Sequence, residues 1–202
     1  MRLLSIFVVG LLLLLTGCAS LPPPAPVDPQ AEQQQKLRAK IDNFVENMTP
    51  LAEGAARKLG VEPELVVAHA GLESGWGQRY IRRSDGSDSY NLFSLKATAS
   101  WEGEVTQITT TEFVRGKPKK RVEPFRAYGS FEEAFDDYAK LIGSLERYAP
   151  AVGRGDDADG FATAIKAGGY ATDPAYAEKL AAVARQLLER AGKKEPTLMA
   201  GG

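Results

Sequence analysis

The sequence predicts an α+β fold that is mostly helical and carries one small β-hairpin lobe. Two patterns support this prediction. Apolar residues recur at helical spacing over most of the chain after residue 38, whereas residues 103–125 are rich in strand formers and contain a turn. The about 155 residues from residue 38 to Gly192 are enough for one domain with a sizeable core.

Two helices are predicted at the start of this domain. Apolar residues at Ile41, Phe44 and Met48 share one helical face. Thr49-Pro50 then has the pattern of a cap followed by proline at the first helical position. We therefore expect one helix, a break, and a second helix that ends at Gly60.

The third predicted helix is the most apolar segment of the domain. It begins at Pro63 and continues to Leu72 with apolar residues on every side. A helix without a polar face is buried in the core. We expect it to be the central helix.

The predicted hairpin follows. Its first strand is indicated by the β-forming run Val105–Phe113, its turn by Arg115-Gly116-Lys117-Pro118, and its second strand by Val122–Phe125.

Three helices are predicted in the remainder of the domain. Ser130-x-x-Glu133 has the pattern of a capping box, which opens a helix. A short helix covers Phe161–Ala167 and stops at two glycines. Asp173-Pro174 caps the last helix, whose inner face contains Tyr176 and Leu180.

The N-terminus is predicted to be an export signal. Arg2 precedes an apolar stretch, residues 3–15, that is too short to span a bilayer comfortably. The stretch ends in Leu-Thr-Gly-Cys, which resembles the lipobox of bacterial lipoproteins and would make Cys18 the lipidated first residue. Because Ala19 follows, this resemblance implies sorting to the outer membrane, with the domain facing the periplasm.

The chain is accordingly divided into a signal peptide (1–17), a lipidated cysteine with a Pro/Gln-rich tether (18–37), a catalytic domain (38–192) and a polar tail (193–202). The tether, extended to about residue 35, would reach roughly 50 Å from the membrane.

Composition argues against a nucleic-acid partner and against a zinc site. After loss of Arg2, 25 − 1 = 24 basic residues face 26 acidic ones, so a nucleic-acid partner is not expected. Cys18 and His69 are the only residues of their types, which leaves no cluster able to hold zinc. No metal or other cofactor is predicted.

Glu73 is the strongest candidate for catalysis. It ends the apolar third helix just before Gly75 and Gly77 turn the chain. Apolar surroundings and the negative end of the helix dipole both disfavour a carboxylate, so we expect its pKa to be raised. A carboxylic acid that stays protonated near neutral pH can act as a general acid. A surface glutamate in the last turn is the alternative.

Four segments carry a resemblance to glycoside hydrolase family 73, the glucosaminidases that include flagellar rod-associated wall hydrolases. They follow one another in the family's order: Leu72–Gly77, Ser89–Phe93, Thr109–Phe113 and Gly169–Tyr176. The resemblance covers about residues 38 to 190. It departs from the family at His69, where Gln is usual, and at Ser94, where Gly is usual.

This resemblance implies a lysozyme-like α-lobe and a β-hairpin lobe with a substrate groove between them. It implies cleavage of the β-1,4 bond between N-acetylglucosamine and N-acetylmuramic acid in peptidoglycan glycan strands. Glu73 would be the general acid, Glu112 the second carboxylate and Tyr170 a residue of the cleft near the cut.

Five further residues are candidates for substrate binding, and three of them also have a structural alternative. Trp76 and Trp101 could stack on sugar rings, although large aromatic residues are more often core residues. Asn91 could bind an acetamido group or cap a turn. Tyr90 and Phe93 belong to the same Tyr-Asn-Leu-Phe segment.

The sequence leaves alternatives open for both the reaction mechanism and the function. Glu112 could activate water or act as nucleophile, or the substrate's own acetamido oxygen could attack. A lytic transglycosylase, which needs only one acid, and a non-catalytic peptidoglycan-binding lipoprotein remain alternatives. A partner in the flagellar rod or another envelope complex also remains open.

Overall fold

The computed structural model describes residues 28–79, 81–114 and 117–193, and it describes the side chains of 110–114 and 117–119 in no detail. The elements are α1 (Pro29–Leu59), α2 (Pro63–Ser74), β1 (Val105–Val114), β2 (Lys117–Arg126), α3 (Phe131–Ser144), a 3-10 helix (Glu146–Ala151), α4 (Ala158–Ala167) and α5 (Tyr176–Arg190). This order confirms a mostly helical α+β fold with one small hairpin. The predicted signal peptide, Cys18, the tether up to residue 27 and the tail from residue 194 lie outside the described residues.

The first helix corrects two expectations. It is one continuous helix of 31 residues that begins at Pro29, so the last part of the predicted extended tether is helical. It also passes through Pro50 without the predicted break. Phe44, Met48 and Ala52 are buried on one face on both sides of this proline. Packing of that continuous face against α2 and α3 outweighs the local helix-breaking tendency of proline.

The helix α2, which is the third helix of the prediction, is the centre of the fold, as expected. Residues 64–71 are all buried, and α2 packs against α1 and α5. Two boundaries agree with the sequence: α2 begins at Pro63, and Gly60, with a left-handed φ of 64°, caps the end of the preceding helix. Glu64 is buried in the first turn and pairs with Lys193 at 2.9 Å.

The hairpin is longer than the sequence indicated. Its strands pair in antiparallel register from Val105 opposite Arg126 to Val114 opposite Lys117, so the second strand begins at Lys117 instead of Val122. The hairpin base joins the loop after α2, because the Arg126 amide donates to the Leu95 carbonyl at 2.9 Å.

The C-terminal helices close around α2. In α3 the Ser130 hydroxyl accepts from the Glu133 amide, while the Glu133 carboxylate accepts from the Gly129 amide. The next helix, α4, begins at Ala158, three residues earlier than predicted, because Asp157 caps it by accepting from the Gly160 amide at 2.8 Å. Within the part of the chain described here, no helix combines the length and apolarity needed to cross a bilayer.

Candidate active site

The end of α2 presents Glu73 at the protein surface. Gly75 ends the helix with a φ of 60°, and its amide donates to the Gly71 carbonyl. Trp76 then folds back so that its ring lies against Gly71, where a Cβ would come within 2.7 Å of the ring. The chain can make this tight return only because residue 71 has no side chain.

A chain of hydrogen bonds connects the Glu73 carboxyl group to the core. The Tyr176 hydroxyl donates to Glu73 Oε1 at 2.5 Å and lies 2.8 Å from His69 Nε2. His69 Nδ1 in turn lies 2.7 Å from the Tyr138 hydroxyl. Glu73 is therefore held by α5 through a tyrosine that sequence reasoning placed only on the inner face of that helix.

The environment of Glu73 acts on its pKa in both directions. Burial raises the pKa above its ordinary value, and this is the largest effect. The hydrogen bond from Tyr176 and the positive charge of Arg79 oppose it. The net shift is upward, which agrees with the prediction of a carboxylic acid that stays protonated at higher pH than usual.

His69 is fully buried, and burial lowers its pKa to about 3. The ring is therefore neutral at physiological pH and carries a hydrogen on only one of its two nitrogens. Because the one Tyr176 hydrogen is directed to Glu73, His69 Nε2 donates to the Tyr176 oxygen and Nδ1 accepts from Tyr138. Every donor in this chain is then used, and all point toward the Glu73 carboxylate.

Tyr170 lies beside this chain but does not bond to Glu73. Its hydroxyl donates to the Phe93 carbonyl at 2.6 Å, and its ring lies 4.3 Å from the His69 ring between centroids. The ring also stacks at 6.3 Å on Tyr176. Tyr170 thus lies beside the Glu73 site, and Tyr176, in the same sequence motif, is the tyrosine that bonds to the Glu73 carboxyl group.

The Tyr-Asn-Leu-Phe segment builds the loop that supports the site. The Asn91 side-chain amide donates to the Leu95 and Arg126 carbonyls, and its oxygen accepts from the Leu95 amide. Asn91 is only 3% exposed. The structure therefore gives Asn91 the role of fastening the loop to the hairpin base, in place of the predicted contact with an acetamido group.

Phe93 and Tyr90 are also packing residues. Phe93 is fully buried and stacks on Tyr138 with 4.0 Å between ring centroids, so it has no surface for the predicted contact with substrate. Tyr90 is half-buried, has a left-handed φ of 57°, and packs edge-on against Phe131.

The two tryptophans differ in their surroundings. Trp76 packs edge-on against Phe44 at 5.8 Å and so acts mainly as a core residue at the end of α2. Trp101 is half-buried at the base of the hairpin, with the Arg126 guanidinium 4.6 Å above its ring. Of the two, Trp101 is the better candidate for stacking on a sugar, because it is not packed into the end of α2.

Glu112 lies near the tip of the hairpin. It is seven residues along β1 from Val105, and its register partner is Lys119. At about 3.3 Å per residue, this places its backbone roughly 23 Å along the strand from the hairpin base. Its side chain lies outside the described part of the structure, so the role of Glu112 as the second carboxylate stays a prediction.

A cavity of about 830 Å³ adjoins the site on the side of Tyr170. Its wall contains four basic side chains, which define what we call the basic pocket: Lys96, Arg126, Lys140 and Arg147.

Comparison with known proteins identifies the family. The glucosaminidase family, described as mannosyl-glycoprotein endo-beta-N-acetylglucosaminidase, matches residues 49–189, which include the whole site described above. The chain belongs to this family.

Relatives of this glucosaminidase-family chain include proteins from several bacteria. It is 46% identical over 164 residues to peptidoglycan hydrolase FlgJ of Salmonella typhimurium, covering 81% of this chain and 52% of that protein. It is 32% identical over 145 residues to exo-glucosaminidase LytG of Bacillus subtilis, covering 69% of this chain and 49% of the relative. The chain thus spans about half the length of these curated relatives.

A solved structure is similar over nearly its full length. The crystal structure of peptidoglycan hydrolase from Sphingomonas sp. A1 superposes with a TM-score of 0.65 at 46% identity, covering 77% of this chain and 98% of that one. The lysozyme-like glycoside hydrolase fold expected from the resemblance is thereby confirmed.

Two residues of this glucosaminidase-family domain departed from the usual motif, and the structure shows where each lies. Ser94 has a left-handed φ of 53°, a conformation that glycine adopts without strain. His69 fills a buried position between two tyrosine hydroxyls, where its ring can accept one hydrogen bond and donate another.

Proposed function

We propose that this domain hydrolyses the β-1,4 bond between N-acetylglucosamine and N-acetylmuramic acid in peptidoglycan, as an endo-β-N-acetylglucosaminidase. The observation that carries the proposal is Glu73, a partly buried carboxyl group with a raised pKa at the end of the central helix of a glucosaminidase-family domain. The names of the Salmonella and Sphingomonas relatives support peptidoglycan as the substrate.

In the proposed reaction, Glu73 gives its proton to the glycosidic oxygen as the bond from that oxygen to the sugar C1 breaks. The leaving muramic acid keeps the proton as a hydroxyl group, and positive charge develops on the glucosamine ring. The Tyr176 hydroxyl stabilises the carboxylate that remains on Glu73, because its hydrogen already points at Oε1. Water then adds to C1 as a hydroxyl group, and the proton that the water releases restores the acid.

Glu112 is proposed as the second carboxylate. Its place in β1 favours delivery from the hairpin, an element whose tip can approach the glycan when strands are bound. Three routes then follow: Glu112 activates water, Glu112 attacks C1, or the substrate's acetamido oxygen attacks while Glu112 orients it.

Product analysis tests this function. Purified peptidoglycan is digested with the protein, and the soluble fragments are reduced and identified by mass spectrometry. We expect fragments with N-acetylglucosamine at the reducing end. Fragments that end in 1,6-anhydro-N-acetylmuramic acid would instead identify a lytic transglycosylase, and binding to the wall without release of fragments would favour a non-catalytic role.

We further propose that Cys18 is lipidated and that the lipid anchors the domain to the periplasmic face of the outer membrane. The support is sequence alone: an apolar stretch followed by Leu-Thr-Gly-Cys, with Ala19 next. A tether of proline and glutamine residues would separate the domain from the lipid.

Metabolic labelling with a clickable fatty acid tests the anchor. The full chain should take up the label and sediment with outer-membrane vesicles, whereas Cys18→Ser should take up none and appear in the soluble fraction. Label on both proteins, or on neither, would remove the support for lipidation at Cys18.

A flagellar setting is a separate proposal, supported by the resemblance to flagellar rod-associated wall hydrolases. Deletion of the coding sequence should then reduce swimming, and the wild-type protein should restore it while Glu73→Gln should not. Normal swimming in the deletion strain would favour another envelope complex or general wall remodelling.

A further inference from the structure

The basic pocket has more positive charge than its neighbours neutralise. Arg126 pairs with Asp137 at 2.6 Å, and Lys96 pairs with Glu123 at 3.1 Å. Among the side chains that the structure describes, no carboxylate lies within ion-pair distance of Lys140, and Arg147 has only the ring of Tyr148 beneath its guanidinium, at 4.8 Å.

The helix α3 directs this charge into the cavity. Asp137, Lys140, Leu141 and Ser144 occur at helical spacing and line the same wall. The opposite stripe of α3, which contains Phe135 and Tyr138, is buried in the core. Because α3 is fixed by that buried stripe, Lys140 stays at the cavity wall.

The pocket shares a wall with the proposed acid. Tyr170 lines the pocket, and its ring stacks on Tyr176, whose hydroxyl holds Glu73. The pocket and the Glu73 site are thus separated by two stacked tyrosine rings. The volume of about 830 Å³ lies within the range of protein sites that hold small molecules.

We propose that the basic pocket binds the acidic stem peptide of a muramic acid residue near the bond that is cut. This inference rests on the proposed peptidoglycan substrate and adds a preference for peptide-bearing strands over denuded ones. A stem peptide carries several carboxylates against one free amine, and its extended backbone suits a pocket of mixed polar and apolar lining. Lys140 and Arg147 are the side chains free to pair with its carboxylates.

Binding of small ligands tests the proposal without any need for turnover. N-acetylmuramyl tetrapeptide and N-acetylmuramic acid, neither of which contains a glycosidic bond, are titrated into the protein and followed by NMR. We expect the tetrapeptide to bind more tightly and to shift resonances of the pocket. The double variant Lys140→Glu/Arg147→Glu should weaken tetrapeptide binding roughly five- to thirtyfold, as expected for two reversed, partly exposed charge contacts.

Matched variants separate the pocket from net charge. Lys36→Glu/Arg38→Glu makes the same charge change on the exposed start of α1, outside the pocket, and should leave tetrapeptide binding unchanged. Lys140→Arg/Arg147→Lys keeps the charge and should restore binding. An equal loss for both ligands, or no loss for the tetrapeptide, would overturn the stem-peptide assignment.

Turnover on intact and amidase-denuded peptidoglycan distinguishes this inference from the proposed function. Wild type should favour intact strands, and the charge-reversed variant should lose that preference while still cutting denuded strands. If wild type cuts neither substrate but binds the tetrapeptide selectively, the hydrolase proposal fails and the pocket assignment stands. If it cuts both equally and binds no tetrapeptide, the pocket assignment fails and the function stands.

Discussion

The Glu73 carboxyl group is the end point of a chain of three hydrogen bonds. His69, Tyr138 and Tyr176 form a chain in which each hydrogen has one acceptor, and the last hydrogen points at the carboxyl group. Burial favours the protonated acid, whereas this hydrogen bond favours the carboxylate. In the proposed reaction, the first effect favours proton donation by Glu73 and the second stabilises the anion that donation leaves behind.

Removal of the tyrosine hydroxyl should move this balance. In Tyr176→Phe the carboxylate loses a hydrogen bond worth about 1.5–3 kcal/mol, so the pKa of Glu73 should rise by roughly one to two pH units. The protonated acid then persists to higher pH. We expect the alkaline limb of the plot of kcat/KM against pH to shift upward by about that amount.

Tyr170→Phe is the matched control, because the Tyr170 hydroxyl donates to the Phe93 carbonyl and not to Glu73. Its alkaline limb should stay where wild type has it, whatever happens to the rate. Limbs at the same pH in all three proteins would mean that Tyr176 does not control the proton of Glu73.

His69 should make the fold sensitive to acid. Its folded pKa, lowered by burial to about 3, lies below the ordinary value of 6.5, so the folded state resists a proton that the unfolded state accepts. The stability from this neutral ring is complete above pH 6.5 and is lost as pH falls toward 3, by up to about 1.4 kcal/mol per pH unit.

Urea denaturation at several pH values checks this expectation. The free energy of unfolding of wild type should fall more steeply below about pH 6 than that of His69→Gln, which has no titrating ring at this position. Parallel curves for the two proteins would contradict the neutral, buried state of His69.

Some residues of the family motifs line the candidate active site, and others support the loop and core around it. Sequence reasoning placed Glu73 correctly in the last turn of a buried helix, because the causes are local: an apolar run and the glycine that ends it. It named Asn91 and Phe93 as binding residues, but the fold uses them to fasten a loop and fill the core. It missed the role of Tyr176, because that contact joins residues 103 positions apart.

The elements show the same division between local and long-range causes. The bounds of α2 follow from Pro63 and Gly75, which act on their own backbone, so the sequence predicted them. Pro50 also acts locally, yet α1 continues through it because buried residues on both sides pack on one surface. Here the free energy gained by packing α1 exceeds the cost of a proline inside the helix.

The hairpin is the element on which the second carboxylate depends. If Glu112 takes part in the reaction from β1, Glu112→Gln should lower kcat by about two to four orders of magnitude while binding of glycan is retained. Glu104→Gln, the same change just before the hairpin at a residue paired with Arg83, should have little effect. Equal rates for all three proteins would mean that Glu112 is a strand residue without a part in the reaction.

At the scale of the whole molecule, the helical lobe carries Glu73 and the hairpin carries Glu112. The hydrogen-bonded chain that ends at Glu73 draws on three helices: α2 carries Glu73 and His69, α5 carries Tyr176, and α3 carries Tyr138. The basic pocket lies against α3, next to this centre. The two proposals thus place recognition of the substituents on the glycan and cleavage of its backbone on neighbouring surfaces of one domain.

The role of Glu73 as the acid is the central claim, and turnover of purified peptidoglycan by Glu73→Gln tests it most directly. Gln keeps the size of the side chain and an oxygen that can accept from Tyr176, but it has no acidic proton to give. The same substitution at the other end of α2, Glu62→Gln, controls for loss of one charge on this helix. We expect release of fragments to fall by about two to four orders of magnitude in Glu73→Gln and to stay near the wild-type rate in Glu62→Gln. Fragment release by Glu73→Gln at the wild-type rate, from a protein with wild-type folding, would contradict the assignment of Glu73 as the acid.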